Sequence, residues 1–320
     1  MEKSRNKRSK WKGIAVIGVL VLAVAGVASR KVESSNSART SKTAAPITFQ
    51  SPVEASTALE DAAKTGDQTA LARILGPDTI SLLMSEDTES NKAAMGNFTA
   101  KYQQMNRWVE MSDGSRVLYI GADNFAFPVP LARNSSGQWF FDAIAGAEEV
   151  RAREIGRNEL LAIDACYALA NAEEMFHDRG ASREYTQRIV STDGKQDGLY
   201  WSAVATDVPS PLGDLSQFSK SSLASYSADE PLVTDGYTLR ILTSQGDDAE
   251  GGKRSYFVNG NMTRGFAVLA VPVRYAETGI MTFMVSREGI VYEQDLGPDT
   301  VKIAASIQQY NPDQNWSPVE

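Results

Sequence analysis

The sequence has a single cysteine and a single histidine among its 320 residues. One cysteine cannot form an intrachain disulfide, and one histidine cannot supply a multi-histidine metal site. We expect Cys166 to be a small buried hydrophobe, and His177 to interact with a helix C-terminus, where a cation is favourable. The sequence also lacks a phosphate-binding glycine loop, a Gly-x-Ser-x-Gly motif, and zinc or haem spacings. These absences predict a protein without a cofactor and without a bound metal ion.

Long apolar runs are also scarce, and the one that stands out covers residues 13–28. The segment before it, residues 1–12, holds six basic residues and one acid. This order is typical of a secretory signal peptide cleaved after residue 28, or of an uncleaved membrane anchor. Both alternatives place the bulk of the chain outside the cytoplasm, either periplasmic or anchored to the inner membrane. Contact with a membrane is expected only through residues 13–28, and only if this segment stays uncleaved. Residues 29–46 have the composition of a flexible linker.

Positive charge is in deficit, because the chain has 32 Lys+Arg against 40 Asp+Glu and a formal net charge of −8. Removal of residues 1–28 makes the remainder more acidic still. Such a surface repels nucleic acid. We therefore expect an unknown envelope protein or a glycan as the partner, and no nucleic acid.

Residues 47–145 are predicted to form an N-terminal α+β domain. Caps at Ser51 and Asp67 predict two helices that end at Gly66 and Gly76. A third helix should present Met95, Phe98, Tyr102 and Met105 on one face. Short runs with turn residues between them then predict strands at 107–111, 116–120, 127–131 and 138–142. Helices on one face of a small antiparallel sheet would resemble the NTF2 or cystatin arrangement, by analogy only.

Residues 146–320 are predicted to form a second part, a long helix packed on a C-terminal antiparallel meander. The helix should cover about 146–176, and an arrangement of this kind is similar to pilin head domains. Residues 178–235 have few clear periods, and we expect one or two short helices there. Alternating patterns predict strands at 238–244, 255–258, 265–273, 280–286 and 290–294, followed by a closing helix at 300–308.

Four carboxylates are candidate catalytic groups: Glu159, Asp197, Asp295 and Asp299. A pair of carboxyl groups about 5–9.5 Å apart can act as the acid and base or nucleophile of a glycosidase. Glu293 could join Asp295 and Asp299 in an acidic pocket. Structural roles compete with this interpretation, because Asp299 suits a helix cap and Asp197 lies among glycines that favour a turn over a loose calcium loop.

Four further residues are candidate binding groups: Arg157, Asn158, Tyr200 and Trp201. Arg157 and Asn158 precede Glu159 within one turn of the long helix. These three side chains would tie the two parts of the chain together or line a cleft, and the structural alternative is a buried network between Arg157 and Glu159. Tyr200 and Trp201 follow a glycine-containing segment, and they would form core if buried or a platform for glycans or peptides if exposed.

Several longer motifs resemble the bacterial DUF2950 family of exported proteins, over about residues 47–319. They are Ser-Pro at 51–52, Gly-Ala-Asp at 121–123, Phe-Pro-Val-Pro at 127–130, Trp-Phe-Phe-Asp at 139–142, Ile-Gly-Arg-Asn-Glu-Leu at 155–160, Gly-Lys-Gln-Asp-Gly-Leu-Tyr-Trp at 194–201, Pro-Ser-Pro-Leu-Gly at 209–213 and Asp-Leu-Gly-Pro-Asp-Thr at 295–300. The family has no assigned function, so the resemblance implies location and extent and no mechanism. Because the sequence has few reactive residue types and begins with a segment typical of export, we expect a non-enzymatic binding or assembly module of the periplasm. The alternative is a carboxylate-dependent hydrolase that acts on envelope glycans.

Overall fold

The computed structural model of the protein describes residues 47–201, 208–213 and 230–319. The predicted signal or anchor at 1–28 and the linker at 29–46 lie outside these residues, as does part of the segment in which short helices were expected. Within the described ranges, no helix combines the length and the apolar character needed to cross a membrane.

The described part of the chain begins with two helices that end close to where the sequence predicts. Helix α1 (Pro52–Thr65) starts where Ser51 Oγ accepts the Glu54 backbone N–H at 3.1 Å. It stops at Gly66, whose φ of 70° is accessible to glycine without steric cost. Helix α2 (Gln68–Leu75) is capped by an aspartate side chain, as expected. The ends of both helices could be predicted because a cap acts on the backbone next to it in the sequence.

Two more helices follow, one of which was not predicted from the sequence. Helix α3 (Pro77–Leu83) starts immediately after Gly76, where the sequence predicts only the end of α2. Proline also suits the first position of a new helix, because its missing N–H needs no partner there. Helix α4 (Thr88–Gln104) is the predicted third helix, and Met105 lies just beyond its end.

A small antiparallel sheet completes this first part. Its strand order is β1-β2-β4-β5, with β3 paired to β2. The predicted strand at 127–131 is wrong, because Pro128 and Pro130 have no N–H to donate to a ladder. Two shorter strands flank the prolines instead. The strands are β1 (Asn106–Glu110), β2 (Arg116–Ile120), β3 (Phe125–Ala126), β4 (Leu131–Arg133) and β5 (Trp139–Phe141).

Helix α5 (Ala143–Arg179) has 37 residues and extends beyond its predicted range by a few residues at each end. Asp142 caps it by accepting the backbone N–H groups of Ile144 and Ala145. Its first turns pack on α3 and on Val129, and its later turns pack on the C-terminal sheet. The helix therefore contacts both parts of the fold.

The C-terminal sheet has six antiparallel strands in the order β15-β14-β13-β12-β7-β6. Helix α5 covers one face, and helix α6 (Thr300–Ser306) contacts β12. The strands β12 and β13 are almost entirely buried, which explains their nearly continuous apolar sequence. The strands are β6 (Leu232–Thr234), β7 (Tyr237–Leu242), β12 (Ala267–Pro272), β13 (Met281–Ser286), β14 (Val291–Asp295) and β15 (Ser317–Pro318), and two ribbons add β8 (Ser244–Gln245) with β9 (Arg254–Ser255) and β10 (Phe257–Val258) with β11 (Asn261–Met262).

Among the residues that the structure describes, the buried side chains form two hydrophobic clusters. One lies among α1, α2 and the first sheet, and the other joins α5 to the C-terminal sheet. Helices and antiparallel sheets segregated along the chain make the fold α+β, as expected. The boundary between residues 145 and 146 stays a prediction.

Candidate functional site

Glu159 lies on α5 and is bonded to the backbone at the start of β13. Its Oε1 accepts the N–H groups of Ile280 at 2.8 Å and Met281 at 3.0 Å. Asn158 is buried, and its Nδ2 donates to the Thr278 carbonyl at 3.0 Å. These two side chains therefore tie the long helix to the segment that precedes β13.

Arg157 does not take part in this connection between the long helix and the segment that precedes β13. Its guanidinium lies 3.9 Å from Glu154 Oε1, and both side chains are exposed. A buried network between Arg157 and Glu159 was one interpretation of the sequence, but helical geometry places residues two apart on different faces.

Glu293 and Asp295 lie on β14 and point to the same side of the strand. The register pairs Glu293 with Phe283 and Asp295 with Met281, the residue whose N–H is bonded to Glu159. Burial and then the charge of Glu159 raise the pKa of Glu293 above its usual value. Asp295 accepts from the Tyr275 hydroxyl at 3.3 Å. The fold thus brings Glu159 and Glu293 close enough to interact electrostatically, and Asp295 lies two residues after Glu293 on the same strand.

Asp197 lies far from these acids in the sequence, and Asp299 follows Asp295 by four residues. The Asp197 carboxylate accepts the N–H and the hydroxyl of Thr192 at 2.8 and 2.9 Å, and Arg188 Nη1 lies 3.7 Å away. Although burial acts to raise the pKa of Asp197, these partners together lower it. Asp299 occupies the N-cap of α6, but its side chain makes no capping hydrogen bond. Within the described ranges, no group of three or more His, Cys, Asp or Glu residues could hold a metal ion.

Tyr200 and Trp201 are both half-buried. Tyr200 packs against the C-terminal cluster, and its backbone N–H donates to the Ile189 carbonyl at 2.8 Å. The Trp201 indole N–H donates to the Val208 carbonyl at 3.0 Å. Both residues thus contribute to local structure, and their role in binding stays a prediction.

The surroundings of Cys166 and His177 indicate structural roles for both residues. Cys166 is fully buried, and burial raises the pKa of its thiol to about 12. A thiol held in that state is a poor nucleophile, because the thiolate is the reactive form. The His177 ring stacks on Tyr185 with centroids 4.5 Å apart, and its Nδ1 lies 3.1 Å from Asp178 Oδ1.

The first part of the fold contains an apolar pocket of about 260 Å³. It lies among α1, α2, α3, α4 and the strands β2 and β3. Its buried lining residues are Leu59, Ala63, Leu71, Leu75, Ile120, Phe127 and Pro128. A largely apolar concave site with few polar groups is the usual form of a small-molecule site.

Helix α4 forms the outer wall of this pocket. Its apolar face carries Met95 and Phe98, both of which line the pocket and are only half-buried. The helix is bonded to its surroundings near both ends: Asn91 Nδ2 donates to the Ser85 carbonyl at 2.7 Å, and the Tyr102 hydroxyl donates to Ser56 Oγ at 3.0 Å. Between these two hydrogen bonds, the middle of α4 borders the pocket.

Lys101 carries the only charge among the described residues that line the pocket. Its Nζ lies 2.5 Å from Asp123 Oδ2 and 5.3 Å from the Phe125 ring centroid. Gly121 makes room for this side chain, because a Cβ at Gly121 would lie 3.2 Å from Lys101 Cγ. This site was not predicted from the sequence. The one available signal was a lysine three residues after Phe98, on the apolar face of a helix.

Comparison with known proteins gives one match. The family model described as "Protein of unknown function (DUF2950)" matches residues 47–319. No curated protein and no solved structure matches the chain.

Proposed function

Because the chain belongs to the DUF2950 family, a family described without a function, we propose from its own structure that it is a binding module for an apolar ligand. The observation that carries this proposal is the pocket beneath α4, whose apolar lining includes Met95 and Phe98, which the fold leaves half-buried. Keeping such surface next to open space is unfavourable unless something fills it. The proposed role is binding, without chemistry on the ligand.

The volume of the pocket limits the size of the ligand. A cavity of about 150 Å³ holds benzene, with six carbon atoms. On that scale, a pocket of about 260 Å³ holds on the order of ten carbon atoms. Burying ten methylene groups would contribute on the order of 8 kcal/mol, before the costs of association.

We further propose that this module lies outside the cytoplasm, in the periplasm or tethered to the inner membrane. The order of a basic segment and an apolar run in residues 1–28 supports this location. The intact mass and the fractionation of the natively expressed protein test it. A periplasmic chain beginning near residue 29 supports a diffusible module, and a full-length chain in the membrane fraction supports a tethered one. Recovery of the full-length chain in the cytoplasmic fraction would contradict export.

Photocrosslinking tests ligand binding at the pocket. The probe is decan-1-ol that carries a diazirine, and the labelled residues are mapped by mass spectrometry on the whole chain. Labelling should fall on α4 and α3 and should be lost in Ala94→Trp, which puts an indole at the mouth of the pocket. The control is Ala93→Trp, which alters an equally exposed neighbour that does not line the pocket. Equal labelling of the two variants would refute the proposal.

A second candidate function, hydrolysis of envelope glycans, is favoured by one observation. Glu159 and Glu293 interact, and burial together with the Glu159 charge raises the pKa of Glu293. A carboxyl group with a raised pKa beside an ionised one is the usual acid and base arrangement. The test is the release of soluble fragments from purified peptidoglycan. Release that is lost in Glu293→Gln but kept in Glu277→Gln would support an enzyme, and no release by the wild type would reject this substrate.

A further inference from the structure

We infer that the ligand of this pocket is a single-chain amphiphile with a carboxylate head, and that Lys101 binds the head while the chain lies beneath α4. This inference rests on the proposed function and names its ligand class. Three observations carry it: the place of Lys101 at the pocket, the lack of other charges in the described lining, and the exposed position of its present partner.

Lys101 combines an apolar stem with a charged end at the edge of the pocket. Its methylene groups pack near Gly121, and its Nζ lies over the Phe125 ring. Phe125 is itself 42% exposed, so the Nζ is at the side of the pocket that opens to water. A long cationic side chain placed in this way can cover apolar surface and still present its charge to solvent.

The remaining lining residues select against a charge inside the pocket. Apart from Lys101, the described lining consists of apolar side chains and Asn97, which is exposed. Burial of an unpaired charge among such side chains is strongly unfavourable. A charged group on the ligand must therefore stay at the mouth, where Lys101, the charged residue of the described lining, favours a negative group.

The Asp123 carboxylate occupies the position beside Lys101 Nζ that the carboxylate head of the ligand would take. Its carboxylate lies 2.5 Å from Lys101 Nζ, but its side chain is 58% exposed, against 28% for Lys101. An ion pair at such an exposed position contributes little stability. A ligand anchored by its buried chain presents its carboxylate to Lys101 at a high effective concentration, so it can compete with Asp123.

The test compares three diazirine probes of equal chain length: decanoate, decan-1-ol and decylammonium. Each is applied to the whole chain, and labelling of α3 and α4 is mapped by mass spectrometry. Decanoate should label most strongly. Lys101→Met keeps an unbranched side chain without the charge, and it should lower decanoate labelling about tenfold, the effect of one charge-assisted hydrogen bond. Decan-1-ol labelling should change little.

Two further variants separate a headgroup role from a structural one. Lys101→Arg keeps the charge and should retain most of the decanoate labelling. Asp123→Asn removes the competing carboxylate, so decanoate labelling should increase several-fold while decan-1-ol labelling stays the same. A role of Lys101 in folding alone would not produce opposite effects from Lys101→Met and Asp123→Asn.

The outcomes distinguish the two proposals. Labelling of the pocket by decan-1-ol and decanoate to the same degree would overturn the assignment of the head and leave the binding module intact. Stronger labelling by decylammonium would also overturn it, and would assign the head to Asp123. If no probe labels α3 or α4, the proposed function itself fails.

Discussion

Glu159 Oε1 accepts the backbone N–H of Met281 at 3.0 Å, and these two residues are 122 positions apart in the sequence. The same oxygen accepts the Ile280 N–H at 2.8 Å. A single carboxylate oxygen therefore satisfies two backbone donors where β13 begins, and it fixes the long helix against the C-terminal sheet.

Two replacements of Glu159 should separate the contribution of its hydrogen bonds to stability from the contribution of its charge. Glu159→Ala leaves two partly buried amides without an acceptor, and it should lower the free energy of unfolding by about 1–3 kcal/mol. Glu159→Gln retains an acceptor oxygen and should cost less. The measurement is urea denaturation. Glu154→Ala removes an exposed acid of the same helix and should change stability by less than about 0.5 kcal/mol. Equal effects of the two alanine variants would show that the bonds to β13 contribute nothing.

The interaction between Glu159 and Glu293 predicts a coupled titration. Burial and the Glu159 charge both raise the pKa of Glu293. Removal of the charge in Glu159→Gln should therefore lower the pKa of Glu293 toward its usual value, although burial keeps it somewhat raised. Carbon NMR of labelled glutamate side chains can follow this titration, with Glu293→Gln assigning the signal. An unchanged pKa in Glu159→Gln would mean that the two carboxylates do not interact.

Two glycines of α5 should respond to alanine in opposite directions. A Cβ on Gly146 would lie 2.7 Å from a methyl group of the fully buried Val129, so Gly146→Ala should destabilise by about 1–3 kcal/mol. A Cβ on Gly156 would meet nothing within 4 Å beyond the adjacent backbone of its own helix, so Gly156→Ala should stabilise by about 0.5–1 kcal/mol. Thermal unfolding of the two variants checks both signs. A neutral Gly146→Ala would show that α5 can shift away from Val129.

The sequence indicated those parts of the fold that depend on neighbouring residues. Caps such as Ser51 act within one turn, and alternating burial in a strand follows from its two faces. The strand predicted at 127–131 from its apolar residues is wrong, because two prolines in this segment have no N–H group to donate to a neighbouring strand. The bond from Glu159 to Met281 could not be predicted, because no local pattern states which distant backbone a helix will meet.

The pocket could not be predicted from the sequence for a related reason. Periodicity correctly placed Met95 and Phe98 on one face of α4, but it does not tell whether a neighbour covers that face. The hydrogen bonds of Asn91 and Tyr102 lie near the two ends of α4, and the middle of the helix lies beside the pocket. Only the tertiary arrangement of four helices and a sheet creates that space.

Glu173 is an acid held in the interior of the protein with only part of its hydrogen-bonding capacity used. The residue is fully buried on α5, its Oε2 accepts the Thr186 N–H at 3.0 Å, and its Oε1 has no hydrogen-bond partner within the described residues. Burial, and to a lesser degree the charge of Glu174, raise the pKa of Glu173 well above its usual value, against the effect of the Thr186 bond. The folded state thus keeps a proton that the unfolded state releases.

This retained proton should make the stability of the protein depend on pH. Its contribution is complete below the unfolded pKa, about 4.3, and is lost as pH rises toward the folded pKa. Glu173→Gln stays neutral at every pH, so its stability relative to the wild type should increase from acid to alkaline pH in urea denaturation. Glu148→Gln, an exposed position on the same helix, should show no such trend. A Glu173→Gln variant that follows the wild-type pH dependence would show that Glu173 is ionised in the folded protein, which its unpartnered oxygen argues against.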